Sequence, residues 1–85
     1  MPIIEIYTQA FCPFCARALS LLRKKGVEFT EIDAPQGSSR RAEAQERSGG
    51  KTSVPQIFSN GKLIGGCDDM MALEHAGKLD PLLGL

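Results

Sequence analysis

The most constraining feature of this chain is Cys12-Pro13-Phe14-Cys15, set where a short β-branched run gives way to a helical pattern. Ile3-Ile4-Glu5-Ile6-Tyr7, bounded by Thr8-Gln9, predicts a buried first strand. Beyond the motif, Cys15, Ala18, Leu19 and Leu22 recur at i, i+3, i+4 and i+7, which predicts a helix from Pro13 to about Lys25 with one apolar face. Pro13 suits the first helical position and Gly26 suits the stop. The cysteine pair therefore straddles a strand-to-helix junction, with Cys12 at the N-cap.

That position has a chemical use. The unpaired N–H groups and the positive end of the helix dipole favour a thiolate there. A free cysteine, with a pKa of about 8.5, is only a few per cent thiolate at neutral pH, and placement at a helix start can lower that value to roughly 3.5–7.5. Cys15 lies one turn deeper on the apolar face, near enough to attack a mixed disulfide on Cys12 yet shielded from outside substrates. Cys12 is read as the nucleophile and Cys15 as the resolving thiol. Cys-x-x-Cys also builds half of a tetrahedral zinc site, but a structural site needs four ligands. The remaining candidates, Cys67 and His75, are spaced unlike any common zinc module, and Pro13 is an odd choice inside a metal knuckle. No metal is expected, and His75 is read as a surface helix residue.

The rest of the chain completes a pattern. Val27 to Ile32 alternates apolar and polar residues, predicting a half-buried strand. Asp33 to Ser39 reads as a loop, followed by a helix from Arg40 to about Ser48 whose only apolar residues are alanines. Val54 to Phe58 and Lys62 to Ile64 are strands around Ser59-Asn60-Gly61, a strong hairpin signal. Asp68 is expected to N-cap a helix carrying Met70, Leu73 and Ala76 on one side and ending at Gly77, with Asp80 to Leu83 as a last helical turn. The order βαβ–α–ββ–α demands a parallel, right-handed first crossover and an antiparallel hairpin. It predicts an α/β fold: a four-stranded mixed sheet with helices on both faces.

Eighty-five residues make one domain, 1–85. Ten basic residues balance ten acidic ones, so neither nucleic acid nor an anionic membrane is indicated as a partner. No apolar run approaches the roughly 20 residues of a membrane-spanning helix, and Met1 to Glu5 does not resemble the start of a secretory signal. Two close cysteines and one distant one are not the even framework of a small secreted domain. A monomer in the reducing cytoplasm is expected.

Three segments, in order and at suitable spacing, resemble those of glutaredoxins, and the resemblance covers nearly the whole chain. Tyr7-Thr8 followed by Cys12-Pro13-Phe14-Cys15 resembles the family's active-site segment. Thr52-Ser53-Val54-Pro55-Gln56-Ile57-Phe58 is similar to its cis-proline segment, and Gly65-Gly66-Cys67-Asp68-Asp69 to its glutathione-binding turn. The resemblance implies a thioredoxin fold. It also implies glutathione-dependent reduction of protein disulfides and of protein–glutathione mixed disulfides, with glutathione as co-substrate. Val54-Pro55 is then a cis peptide that turns the Val54 backbone toward Cys12, so that an extended substrate pairs with it. Read on residues alone, Pro55 is equally a strand-initiating trans proline.

Gly65-Gly66 lets the backbone approach a ligand closely. By the resemblance, the exposed N–H groups at this helix start hold the γ-glutamyl carboxylate of glutathione, and Asp69 meets its ammonium. Phe14, Lys51, Val54, Pro55 and Cys67 complete the implied glutathione site. Two departures stand out. Phe14 replaces a common tyrosine, and Gln9 replaces a lysine that places charge near the nucleophile, with Lys51, Arg17 or Arg41 as possible substitutes. Cys67 is most simply a small, partly buried residue in the turn. Sharing of an iron–sulfur cluster between two chains is the competing function, against which Pro13 argues. Supply by thioredoxin reductase is disfavoured by the turn at Gly66 to Asp69.

Overall fold

Alternation along the first strand decides which layer each residue serves. The computed structural model describes residues 2–85. It contains β1 (Ile4–Thr8), α1 (Pro13–Lys25), β2 (Thr30–Asp33), α2 (Ser39–Arg47), β3 (Gln56–Ser59), β4 (Lys62–Gly65), α3 (Cys67–His75) and α4 (Leu79–Leu82). Sheet order is β2-β1-β3-β4. β1 runs parallel to β2 with Glu5 opposite Thr30, and antiparallel to β3 with Ile6 opposite Ile57. β4 closes the sheet as an antiparallel hairpin with β3, where Phe58 faces Leu63. This is the four-stranded mixed sheet that the element order predicts, and the thioredoxin fold that the resemblance implies.

Ile4, Ile6 and Ile57 point to one face and pack with Ala18, Leu19 and Leu22 of α1, Met70 of α3, and Leu79 and Leu83. All four residues expected on the apolar face of α1 are buried. Tyr7 and Phe58 point the other way, toward Ala34 and Ala44, with their rings edge to face at 5.7 Å.

The weak apolar grip expected of α2 is real, since Ala44 is its one buried residue. A cation makes up the difference. Arg47 Nη2 pairs with Glu5 Oε1 at 2.8 Å, Nη1 donates to the Tyr7 hydroxyl at 2.8 Å, and the guanidinium lies 4.3 Å from the Phe58 ring centroid. On the opposite face, Lys25 Nζ meets both Glu74 and Asp80 at 2.7 Å, tying the end of α1 to α3 and α4.

Three boundaries differ from the sequence reading by two residues or more. β2 begins at Thr30 rather than Val27, because pairing with β1 starts at Glu5 and Val27 is buried as part of the connection against the α1 layer. β3 begins at Gln56, because Val54 and Pro55 form the approach to the strand. Asp68 is not the N-cap of α3: Gly66 holds that position, and Asp69 Oδ2 accepts from the Gly66 N–H at 3.1 Å. At the helix end, Met70 is buried and Leu73 partly so, while Ala76 is the exposed C-cap.

Candidate active site

Cys12 is the N-cap of α1, in extended conformation at φ −107° and ψ 104°. Its carbonyl accepts the first helical bond, from Ala16 N at 3.0 Å, and its Sγ accepts from Cys15 N at 3.2 Å. The sulfur thus carries out the capping task that a Ser or Asp oxygen usually performs. Such a bond stabilises a sulfur anion more than a thiol. Cys15 is 2% exposed. Burial pushes its thiol up to about 12, and its interaction with Cys12 adds to the rise. The two sulfurs therefore differ in setting, one half-buried and accepting from the Cys15 N–H and the other buried inside with its pKa raised.

The Val54–Pro55 bond is cis, and the Val54 carbonyl lies 4.0 Å from Cys12 Sγ. Gln56, 2% exposed, anchors the approach: its Nε2 donates to the carbonyls of Lys51 at 3.0 Å and Ser53 at 2.9 Å, while Oε1 has no partner among the described residues. A groove of about 290 Å³ opens here, near the lower end of small-ligand sites. Phe14, Lys51, Val54, Pro55, Gly66, Cys67, Asp68 and Asp69 all line it, joined by Ser53 and Gln56. Every residue expected to contact glutathione is therefore on one concave wall, drawn from α1, the loop before β3, and the start of α3. Cys67 is buried there at the first turn of α3, and burial raises its thiol pKa.

Gly65 has a different use from the close ligand approach expected of it. Its φ is +132°, and a Cβ at that position would collide with the Asp69 carboxylate. The glycine leaves room for Asp69 to cap its own helix.

The three candidate substitutes for the missing lysine separate cleanly. The guanidinium of Arg17 lies 5.8 Å from the Phe14 ring centroid, and Lys51 is on the groove wall. Arg41 reaches Gln9. Its Nη1 donates to Gln9 Oε1 at 2.8 Å and to the Ala34 carbonyl at 2.9 Å, and its Nε donates to the Thr52 carbonyl at 3.0 Å. The same guanidinium opposes the rise in the Cys15 pKa. His75 is exposed at the last turn of α3, away from these groups in the fold. Among the described residues, no three His, Cys, Asp or Glu side chains cluster to hold a metal ion, and no helix is long and apolar enough to cross a membrane.

One residue escapes the sequence reading. Phe11, directly before the nucleophile, is fully exposed with φ +59°. Beside it runs a second groove, about 490 Å³, with Cys12 and Cys15 in its wall and no lining residue in common with the first. The available signal was an aromatic side chain in a short polar connection, which carries little information on its own.

A thioredoxin-type sheet presenting Cys-x-x-Cys at a helix start, beside a cis-proline approach, defines a thiol–disulfide redox protein. Comparison with known proteins narrows this class. The family model described as glutaredoxin matches residues 4–64. A probable glutaredoxin of Synechocystis is 56% identical over 80 residues, covering 94% of this chain and 91% of that protein. Glutaredoxin 3 of Escherichia coli is 51% identical over 83 residues, covering 98% and 99%. A buckwheat glutaredoxin solved as a glutathione complex superposes with a TM-score of 0.85 at 30% identity, covering 98% of this chain and 77% of that one. The chain belongs to the glutaredoxin family, whose members are thiol–disulfide oxidoreductases.

Proposed function

We propose that this protein reduces protein–glutathione mixed disulfides and protein disulfides at the expense of glutathione, acting as a monomer in the cytoplasm. The carrying observation is that Cys12 Sγ lies 4.0 Å from the carbonyl of Val54, a wall residue of the groove lined by all eight residues expected to bind glutathione. The groove has the right chemistry for that tripeptide: the Lys51 ammonium for a carboxylate, the Asp69 carboxylate for an ammonium, and the open first turn of α3. The buckwheat relative, solved with glutathione, supports the same reading.

In the shorter route, the Cys12 thiolate attacks the glutathionyl sulfur of a modified protein. A Cys12–glutathione disulfide forms, the bond to the protein sulfur breaks, and that sulfur leaves with the electron pair and takes up a proton. The thiolate of a second glutathione then attacks the glutathionyl sulfur, releasing glutathione disulfide and restoring the Cys12 thiolate. For a protein disulfide, Cys12 first forms a mixed disulfide with the protein. Cys15 then attacks Cys12 Sγ, the bond to the protein sulfur breaks, and the protein thiolate leaves with the electron pair and takes up the proton Cys15 gives up. Two glutathiones reduce the resulting Cys12–Cys15 bond to two thiols and leave as glutathione disulfide. Burial favours the protonated form of Cys15 until that step.

The test is turnover of a glutathionylated peptide with glutathione, glutathione reductase and NADPH, followed as NADPH oxidation. Steady turnover, abolished in Cys12→Ser, is expected. Absence of turnover by the parent protein overturns the reading.

A further inference from the structure

We propose that Phe11 and the groove beside it hold the polypeptide side of the disulfide substrate, favouring segments with an apolar residue next to the reacting cysteine and a basic residue beyond it. This rests on the glutathione-dependent reaction proposed above.

A bulky aromatic residue is uncommon in the left-handed region of backbone space, and one found there beside a reactive group points to a use. The fold gives Phe11 no core role, since its ring is fully exposed. The turn instead holds it out one residue before the nucleophile. The groove it borders is continuous with the reacting atom, because Cys12 is part of its wall.

The geometry of the reaction assigns the occupant. In displacement at sulfur the three sulfurs lie in line, so the polypeptide sulfur stands beyond the glutathionyl one, and its flanking residues need a surface near Cys12 other than the one glutathione fills. The glutathionyl half goes to the groove along Val54 and Gly66. The two grooves have no residue in common, which leaves the one at Phe11 for the departing polypeptide. Phe11, Pro13, Ala16 and Leu19 give this groove an apolar floor. Glu31 supplies its charge: the carboxylate accepts from Thr8 Oγ1 at 2.9 Å and has no ion-pair partner among the described residues. An apolar floor with an unpaired carboxylate at its edge complements an apolar residue followed by Lys or Arg.

The test uses glutathionylated peptides that differ only around the cysteine, with Leu or Gly beside it and Lys or Glu beyond. The parent protein is expected to prefer Leu over Gly by about five- to tenfold in kcat/KM, the size expected for burying a good part of one aliphatic side chain. Phe11→Asn removes the ring while keeping a residue that tolerates positive φ. It should bring the Leu-to-Gly ratio to within about twofold, whereas Phe11→Trp should retain the preference. Glu31→Gln should remove the preference for Lys over Glu. An equal ratio in the parent and Phe11→Asn overturns the proposal. So does sedimentation of the parent as a dimer that Phe11→Asn dissociates, since a second copy would then cover the ring. If the parent turns over none of the peptides, the underlying reaction is what fails.

Discussion

Gln9 Oε1 accepts a hydrogen bond from Arg41 Nη1 at 2.8 Å, so the residue that breaks the family pattern is itself tied to a cation from another helix. That guanidinium also bridges Ala34 and Thr52, linking the ends of β1 and β2 to the loop before β3. Arg41→Met should destabilise the protein by about 1–2 kcal/mol, since three bonds to a partly exposed cation are lost together. Gln9→Lys should also destabilise, by about 0.5–1 kcal/mol, because it sets two cations side by side. Urea denaturation of both variants checks this. A Gln9→Lys protein more stable than the parent would mean that Arg41 does not occupy the lysine's place.

The two active-site cysteines should divide the work. Cys12→Ser is expected to lose all thiol transfer. Cys15→Ser should retain reduction of glutathionylated peptides while losing at least about tenfold on protein disulfides that need an internal resolving thiol. Parallel assays on the two substrate types decide the point, and loss of both activities by a folded Cys15→Ser protein contradicts the division.

Cys15 also predicts a pH dependence. Its folded pKa is raised from 9.0 to about 12, so its contribution to stability is full below 9 and is lost as pH rises toward 12. Within that window the reduced parent should lose stability with a slope up to about 1.4 kcal/mol per pH unit steeper than Cys15→Ser. The same burial protects the thiol. At pH 8 iodoacetamide should modify Cys12 alone, and all three cysteines only in denaturant, as counted by mass spectrometry. Rapid alkylation of Cys15 in the folded protein would contradict its burial.

Arg47 should be among the costliest surface-reaching residues to remove. Its side chain is 27% exposed and combines a paired carboxylate, a phenol and an aromatic face. Arg47→Ala is expected to cost about 2–3 kcal/mol in urea denaturation. Arg47→Lys should recover less than half, because an ammonium lacks the planar fork that meets Glu5 and Tyr7 together.

Where a residue's task follows from local spacing, the sequence was legible. The face of Cys15, Ala18, Leu19 and Leu22, the hairpin at Asn60-Gly61 and the N-cap position of Cys12 all follow from periodicity and turn chemistry, and the structure has them in place. Pairing across the chain was less so. Val27 continues the alternation of β2 yet pairs with nothing, because the limit is set by where β1 begins. Asp68 has the right type for a cap, but Asp69 reaches the Gly66 N–H because Gly65 has no side chain to block it. The choice of Arg41 over Arg17 and Lys51 depends on how α2 lies over the sheet, which no local pattern encodes.

The weak seating of α2 has a consequence for control of the site. One buried alanine and two arginines, Arg47 and Arg41, hold this helix to the sheet and its loops, and Arg41 reaches toward the cysteine pair. Displacing α2 removes the Arg41 charge that opposes the rise in the Cys15 pKa. Loosening or clamping that one helix is thus a fine electrical adjustment on the Cys15 thiol, set from the far side of the sheet.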